Sequence, residues 1–270
     1  MEWFEALILG LIQGLTEFLP VSSSGHLEIG KEILGVRTTD DLMFTTMVHA
    51  ATVLSTIVVF RKQILSLLKG FFKFKYNDET DYLLKIAISL VPIMIVGLFF
   101  KDQVEALFGS IKVVGIALLF TSALLFLSDI VSRPGKASAR AAANDVRNGI
   151  SYWQAFVVGL SQALAVIPGL SRSGTTISTG LICGVRRDVI AQFSFLMVLI
   201  PILGESFLEL VGGEFASSSV GALPLALGFL SAFVSGLFAC KVMIALVRKA
   251  RLSWFAVYCL VAAAVIFIFS

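Results

Sequence analysis

The chain has 270 residues, 57% of them hydrophobic and only 14% charged, with a net charge of +3 and a mean hydropathy of +0.94. A soluble globular domain is about 45–50% apolar and about 25% charged. The composition therefore excludes an ordinary soluble protein, and the small positive excess excludes a nucleic-acid binder, which carries a much stronger basic bias. The three cysteines, Cys183, Cys240 and Cys259, have neither a disulfide nor a metal spacing, so they are expected to be small buried residues without a redox role.

The N-terminal run Met1-Glu2-Trp3-Phe4-Glu5 has no basic leader and no small-residue cleavage site, so the first apolar segment is expected to be retained as structure. That segment, residues 4–34, is too long for one crossing and is interrupted at Pro20-Val21-Ser22-Ser23-Ser24-Gly25. Residues 43–60 follow as a span ending at Arg61. Residues 63–74 mix Leu and Phe with Lys and are expected to form an interfacial helix. Spans are expected at 82–100 and 113–131, then a solvated connection rich in Ala, Ser, Gly and basic residues at 132–152. Residues 153–183 form a second over-long apolar segment, interrupted at Pro168-Gly169-Leu170-Ser171-Arg172-Ser173-Gly174. Spans at 189–210, 223–240 and 254–269 complete the chain. Each has close to the ~20 residues needed to cross a bilayer.

Loop charge sets the orientation. The basic groups near Arg61, Arg133, Arg186-Arg187 and Lys241–Arg251 belong on the cytoplasmic face, and the loop 212–221, with no Lys or Arg, belongs outside. Six full crossings then leave the two interrupted segments as re-entrant hairpins, the first entering from outside and the second from the cytoplasm. The expected fold is thus an all-α polytopic membrane protein of two inverted-topology repeats, 1–131 and 153–270, each a re-entrant hairpin plus three spans. Both termini are expected to be extracytoplasmic. Gly10-Leu11-Ile12-Gln13 with Pro20 matches Gly159-Leu160-Ser161-Gln162 with Pro168 at nearly the same spacing. Inverted repeats with broken helices place a polar site near the bilayer midplane.

Polar residues at that depth are the functional candidates. Glu17 is costly inside an apolar helix, and Gln13, four residues earlier, shares its face. Ser22-Ser23-Ser24-Gly25-His26 opens a half-helix whose unpaired N–H groups form an anion site. Ser171-Arg172-Ser173-Gly174-Thr175-Thr176 repeats the design with an arginine, whose planar fork suits phosphate oxygens. Glu17, Ser23, His26 and Arg172 are the catalytic candidates. Gln13, Ser22, Ser24, Gly25, Ser171, Ser173, Gly174 and Thr176 are the expected substrate-binding set. His49 is expected to be a core residue.

These stretches resemble a known family. Gln13-x-x-x-Glu17 with Phe18-Leu19-Pro20-Val21-Ser22-Ser23-Ser24-Gly25-His26 looks like the first signature of the undecaprenyl-diphosphatase (bacitracin-resistance) family. Pro168-Gly169-Leu170-Ser171-Arg172-Ser173-Gly174-Thr175-Thr176 resembles the second, and the likeness extends to Gln192-Phe193-Ser194-Phe195-Leu196 and Pro201. The first position of the family motif accepts Glu or Gln. Gln13 here leaves Glu17 as the only carboxylate of the pair, which weakens a two-carboxylate metal site. The resemblance implies a bacterial plasma-membrane enzyme that removes the terminal phosphate of undecaprenyl diphosphate for wall-polymer synthesis. It also implies a site open to the outer face, a homodimer, and a divalent cation, Mg²⁺ or Ca²⁺, with Glu17 and Gln13 as the ligands this sequence offers. No organic cofactor and no nucleic acid are expected; membrane lipids are.

The residues leave the nucleophile open among Ser23, His26 and water, with Glu17 as base for the first. The rival reading is a transporter or flippase that uses Arg172 to hold an anionic or lipid-phosphate solute. A phosphatase of the acid-phosphatase-like lipid class would need a His downstream of its Ser-Arg element, and both His26 and His49 precede Arg172.

Overall fold

The computed structural model describes residues 1–36, 41–107, 110–132, 146–211, 220–249 and 251–269. Their regular structure is helical throughout: α1 (Trp3–Thr16), α2 (Ser23–Leu34), α3 (Asp41–Val59), α4 (Arg61–Phe71), α5 (Asp78–Phe99), α6 (Lys101–Glu105), α7 (Ile111–Val131), α8 (Tyr152–Leu164), α9 (Arg172–Ile182), α10 (Arg187–Val211), α11 (Ala222–Lys249) and α12 (Ser253–Phe269). Local chemistry sets the ends. Asn77 accepts the Thr80 N–H at 2.8 Å to start α5, Ser151 and Gln154 close a capping box on α8, and Gly35 ends α2 with φ 69°.

Among the described residues four helices are long and apolar enough to cross a membrane: Asp78–Phe99, Ile111–Val131, Arg187–Gly204 and Ala222–Val247. A fifth arises if α3 and α4, bent by 75°, count as one. The outward side chains fit lipid as solvent: Ile116, Phe120, Val234, Phe238 and Ile268 are all at least half exposed. The protein is a multi-pass helical membrane protein. Most of the stretch 63–74, expected to be an interfacial helix, is helical as part of α4, which exposes Leu65, Leu68 and Phe71.

Helix pairing crosses the chain midpoint. α1 packs on α11, α8 on α5, and α7 on α12. Small residues make the first two contacts close. A Cβ at Gly10 would strike Ser231 and Gly228 of α11, one at Gly14 would strike Ser235, and one at Gly159 would strike the Ser89 backbone of α5.

Several boundaries differ from the sequence reading. The span expected to end at 240 continues as helix to Lys249, because apolar Val242–Val247 follow Lys241 with no Gly or Pro to stop them. The first break begins at residue 17 rather than at Pro20, since a proline disfavours helix in the residues before it. Glu17 therefore stands just past α1 instead of inside it, and Arg172 opens α9 instead of lying in the turn. The loop 212–219 and most of the connection, 133–145, lie outside the described residues.

The foot of α5 holds a buried network absent from the sequence reading. Lys85 Nζ, 1% exposed, donates to Asp81 Oδ2 at 2.5 Å and to the Arg147 carbonyl at 2.7 Å. Asp81 also accepts from Tyr76 and Tyr152, each at 2.8 Å, and from Asn148 at 2.9 Å. A buried charge pair needs this full set of partners to be tolerated. The network anchors residues 147–152 to the first half of the chain. The signal that could have revealed it is the i, i+4 spacing of Asp81 and Lys85.

Candidate active site

Both half-helices begin in the same way. Ser22, held at φ 71°, accepts the Gly25 N–H at 3.2 Å. Ser171 accepts the Gly174 N–H at 3.1 Å. These caps leave the N–H groups of the first two residues of α2 and of α9 without intrahelical acceptors, at the positive ends of two helix dipoles. The breaks are also bound to each other. The Gly169 N–H donates to Ser24 Oγ at 3.3 Å, and Ser173 Oγ donates to the Leu19 carbonyl at 3.0 Å. Gly169 has φ 86°, which a side chain would oppose, and its Cα lies against Val114. The expected substrate-binding residues Ser22, Ser24, Gly25, Ser171 and Gly174 are thus engaged in shaping the two turns.

Glu17 is the centre of the polar set. Its Oε2 accepts from Ser23 Oγ at 2.6 Å and from Gln13 Nε2 at 2.8 Å. Arg172 faces its other oxygen at 3.9 Å, too far for a hydrogen bond. Among the described residues the Arg172 guanidinium has no hydrogen-bond acceptor. A cation at this depth with open donors calls for an anion. Glu17, Arg172 and Ser173 line a narrow cleft with Thr52, Thr56 and Ser194, walled by Phe18, Phe195 and Val198. Thr176 lies behind it and bonds Ser194 at 2.6 Å.

Both histidines use their own helix. His26 Nδ1 lies 2.7 Å from the Ser22 carbonyl and His49 Nδ1 2.8 Å from the Thr45 carbonyl. His49 Nε2 then points at Glu17 Oε2, 3.8 Å away. The core role expected for His49 is replaced by a place beside Glu17. His26 goes elsewhere: its Nε2 meets the Tyr258 hydroxyl at 2.6 Å, and it is not part of the cavity lining. Thr52, Thr56 and Tyr258 escaped the sequence reading, and Ser194 entered it only as part of the family likeness.

Among the described residues no three His, Cys, Asp or Glu side chains gather around a metal position. Gln13 Oε1 is nevertheless buried with no partner. Beside Glu17 it gives one carboxylate and one amide oxygen. That is a donor set a hard cation accepts when substrate phosphates and water complete its shell.

Fold and site together define a class: a multi-pass helical membrane protein with a partly enclosed polar site that pairs an arginine with a carboxylate, to which a hydroxyl is hydrogen-bonded. Comparison with known proteins narrows it. The family model described as Bacitracin resistance protein BacA matches residues 6–265. An undecaprenyl-diphosphatase of Bacteroides fragilis is 51% identical over 100% of this chain and 99% of its own length. One of Parabacteroides distasonis is 53% identical over 97% and 96%, and one of Korarchaeum cryptofilum 38% over 97% and 97%. The chain belongs to the BacA bacitracin resistance family.

Proposed function

We infer that this protein hydrolyses undecaprenyl diphosphate to undecaprenyl phosphate and inorganic phosphate, returning the lipid carrier to cell-wall polymer synthesis. The enzyme name carried by relatives at about half identity over the full chain supports the activity. The observation that carries the mechanism is the Ser23 hydroxyl, 2.6 Å from one oxygen of Glu17, whose other oxygen faces the Arg172 guanidinium at 3.9 Å.

Arg172 and the two helix starts hold the diphosphate oxygens and stabilise charge that builds on the leaving phosphate. Glu17 takes the proton of Ser23 Oγ as that oxygen bonds to the terminal phosphorus. The bond from phosphorus to the bridging oxygen breaks, and the electron pair leaves with undecaprenyl phosphate. Water then attacks the phosphoserine, Ser23 recovers its proton, and inorganic phosphate is released. His26, with Nε2 occupied by Tyr258, serves as an orienting group or acid and not as the nucleophile. Glu17 and Gln13 Oε1 would hold a Mg²⁺ or Ca²⁺ ion, which would neutralise phosphate charge. Ser173 and Thr176 support the phosphate pocket. The polyprenyl tail lies along apolar helix surfaces.

The architecture belongs to the same proposal: two inverted repeats, 1–131 and 153–270, each a re-entrant hairpin and three spans. The exchange of partners, α1 on α11 and α8 on α5, supports it, as do the equivalent Gly10 and Gly159 contacts. The enzyme sits in the bacterial plasma membrane as a homodimer, with both termini and the site opening outside. Labelling of single cysteines placed in 212–221 from the outer face alone is the expected topology result, and light scattering of the detergent complex decides the dimer.

Phosphate release from undecaprenyl diphosphate by the purified protein with Mg²⁺ tests the activity. Release that disappears in folded Arg172→Ala and Glu17→Ala variants is the expected outcome. A folded wild type that releases none with either Mg²⁺ or Ca²⁺ would instead point to carriage of an anionic lipid phosphate by the Arg172 pocket.

A further inference from the structure

His26 and Tyr258 meet across 232 residues of sequence. The ring of His26 is held at both nitrogens. Nδ1 faces the Ser22 carbonyl at 2.7 Å, an oxygen that can only accept, so the neutral ring carries its proton there. Nε2 is left as the acceptor, and the Tyr258 hydroxyl lies 2.6 Å from it. The two rings stack at 5.6 Å with planes 12° apart, which fixes the imidazole's tilt as well as its tautomer. A phenol donates to neutral imidazole and accepts from imidazolium, so Tyr258 serves either protonation state without moving.

The backbone beside Tyr258 is tied down on both sides. Ser122 of α7 donates to the Ala256 carbonyl at 2.8 Å. Cys259 Sγ reaches the carbonyl of Pro20 at 3.5 Å, in the same break that carries Ser22 and Ser23. Ser253 bonds Asp129 at 2.9 Å at the start of the helix. The Ser122 and Asp129 contacts fix α12 against α7, the Cys259 contact ties it to the first break, and Tyr258, one residue before Cys259, meets His26. A tyrosine needed only to fill space at a half-exposed helix face would not require this alignment.

We propose that Tyr258 is a positioning residue for the hydrolysis reaction: it holds His26 in the Nδ1–H tautomer with Nε2 directed away from α2. The proposal rests on the phosphatase reading above, in which His26 orients the reacting groups or supplies a proton.

The test combines kinetics with nitrogen NMR of the detergent-solubilised protein labelled with ¹⁵N-histidine. The chain has only His26 and His49, so each ring can be assigned by its own substitution. In the wild type, His26 is expected to show a protonated Nδ1 and a hydrogen-bonded Nε2. Tyr258→Phe removes one hydroxyl and is expected to move the His26 Nε2 signal, leave His49 unchanged, and lower kcat about tenfold with KM within about twofold, the scale of one hydrogen bond to an ionisable group. A Tyr258→Phe enzyme with wild-type kcat, or with reduced kcat but an unmoved His26 signal, overturns the proposal. So does a wild-type spectrum in which the neutral His26 ring carries its proton on Nε2, or in which Nε2 has no hydrogen bond, a result that does not depend on the variant folding. An inactive wild type would count against the phosphatase reading itself, and a fully active His26→Gln variant against the role given there to His26.

Discussion

The two helix breaks share a capping bond and carry different side chains. Each has a serine cap bonded to a glycine N–H three residues on, Ser22 to Gly25 and Ser171 to Gly174. The start of α9 lines the cleft through Arg172 and Ser173, while the first break reaches it through Glu17 and Phe18. The first break adds a carboxylate with a hydroxyl on it, Glu17 and Ser23. The second adds a guanidinium with open donors, Arg172. The same capping bond thus sits on different backbone, with Ser22 at φ 71° and Ser171 at φ -72°, and the side chains around it differ. In the proposed reaction the first break supplies the chemistry and the second the grip.

The largest expected effect separates those roles. Glu17→Gln keeps the hydrogen bonding but removes the base, and should lower kcat by about 10³-fold with KM changed by no more than about threefold. Arg172→Lys keeps the charge but loses the fork, and should lower kcat/KM by about 10²-fold, chiefly through KM. Steady-state phosphate release on both variants checks the division. If both changes fall on kcat alone, the breaks act as one unit.

A smaller effect probes the close helix contacts. Gly10→Val and Gly159→Val should each destabilise the fold by about 1–3 kcal/mol through overpacking, seen as a lower thermal midpoint in detergent. Gly97, which has nothing within 4 Å of a built Cβ, is the control. Loss at Gly10 but not at Gly159 would undo the equivalence of α1 and α8. The smallest effect is at the caps. Ser22→Ala and Ser171→Ala should each cost ~1 kcal/mol, measured by the same melts. Very unequal losses would show that one turn is held by something other than its serine.

Much of this arrangement is legible in the residues because it is local. Gln13 and Glu17 are four apart, and their side chains are indeed bonded at 2.8 Å. The serine caps follow from Ser-rich turns before apolar helices, and Glu17 and Arg172 reveal themselves by their cost in lipid. What escaped is helical polarity with an internal explanation. Thr52 bonds the His49 carbonyl and Thr56 the Thr52 carbonyl, so both read as ordinary hydroxyls in a span, although they line the cavity. His49 looked like a core residue because its facing partner, Glu17, belongs to a different helix. Tyr258 had no local signature at all, since the contact that gives it meaning lies 232 residues away. The helix ends at 17 and 249 were missed because they depend on where a proline or its absence stops the turn.

The pairing of α1 with α11 also bears on how the chain is made. Ser231 of α11 bonds the Leu7 carbonyl of α1, a separation of 224 residues. At about 5–20 residues per second, α1 emerges from the ribosome roughly 10–45 s before its lasting neighbour. For most of that interval Glu17 has no Arg172 to face, and α1 rests against provisional company. Biogenesis of this protein is therefore a matter of late assembly, in which the earliest segment to reach the membrane is among the last to find its place.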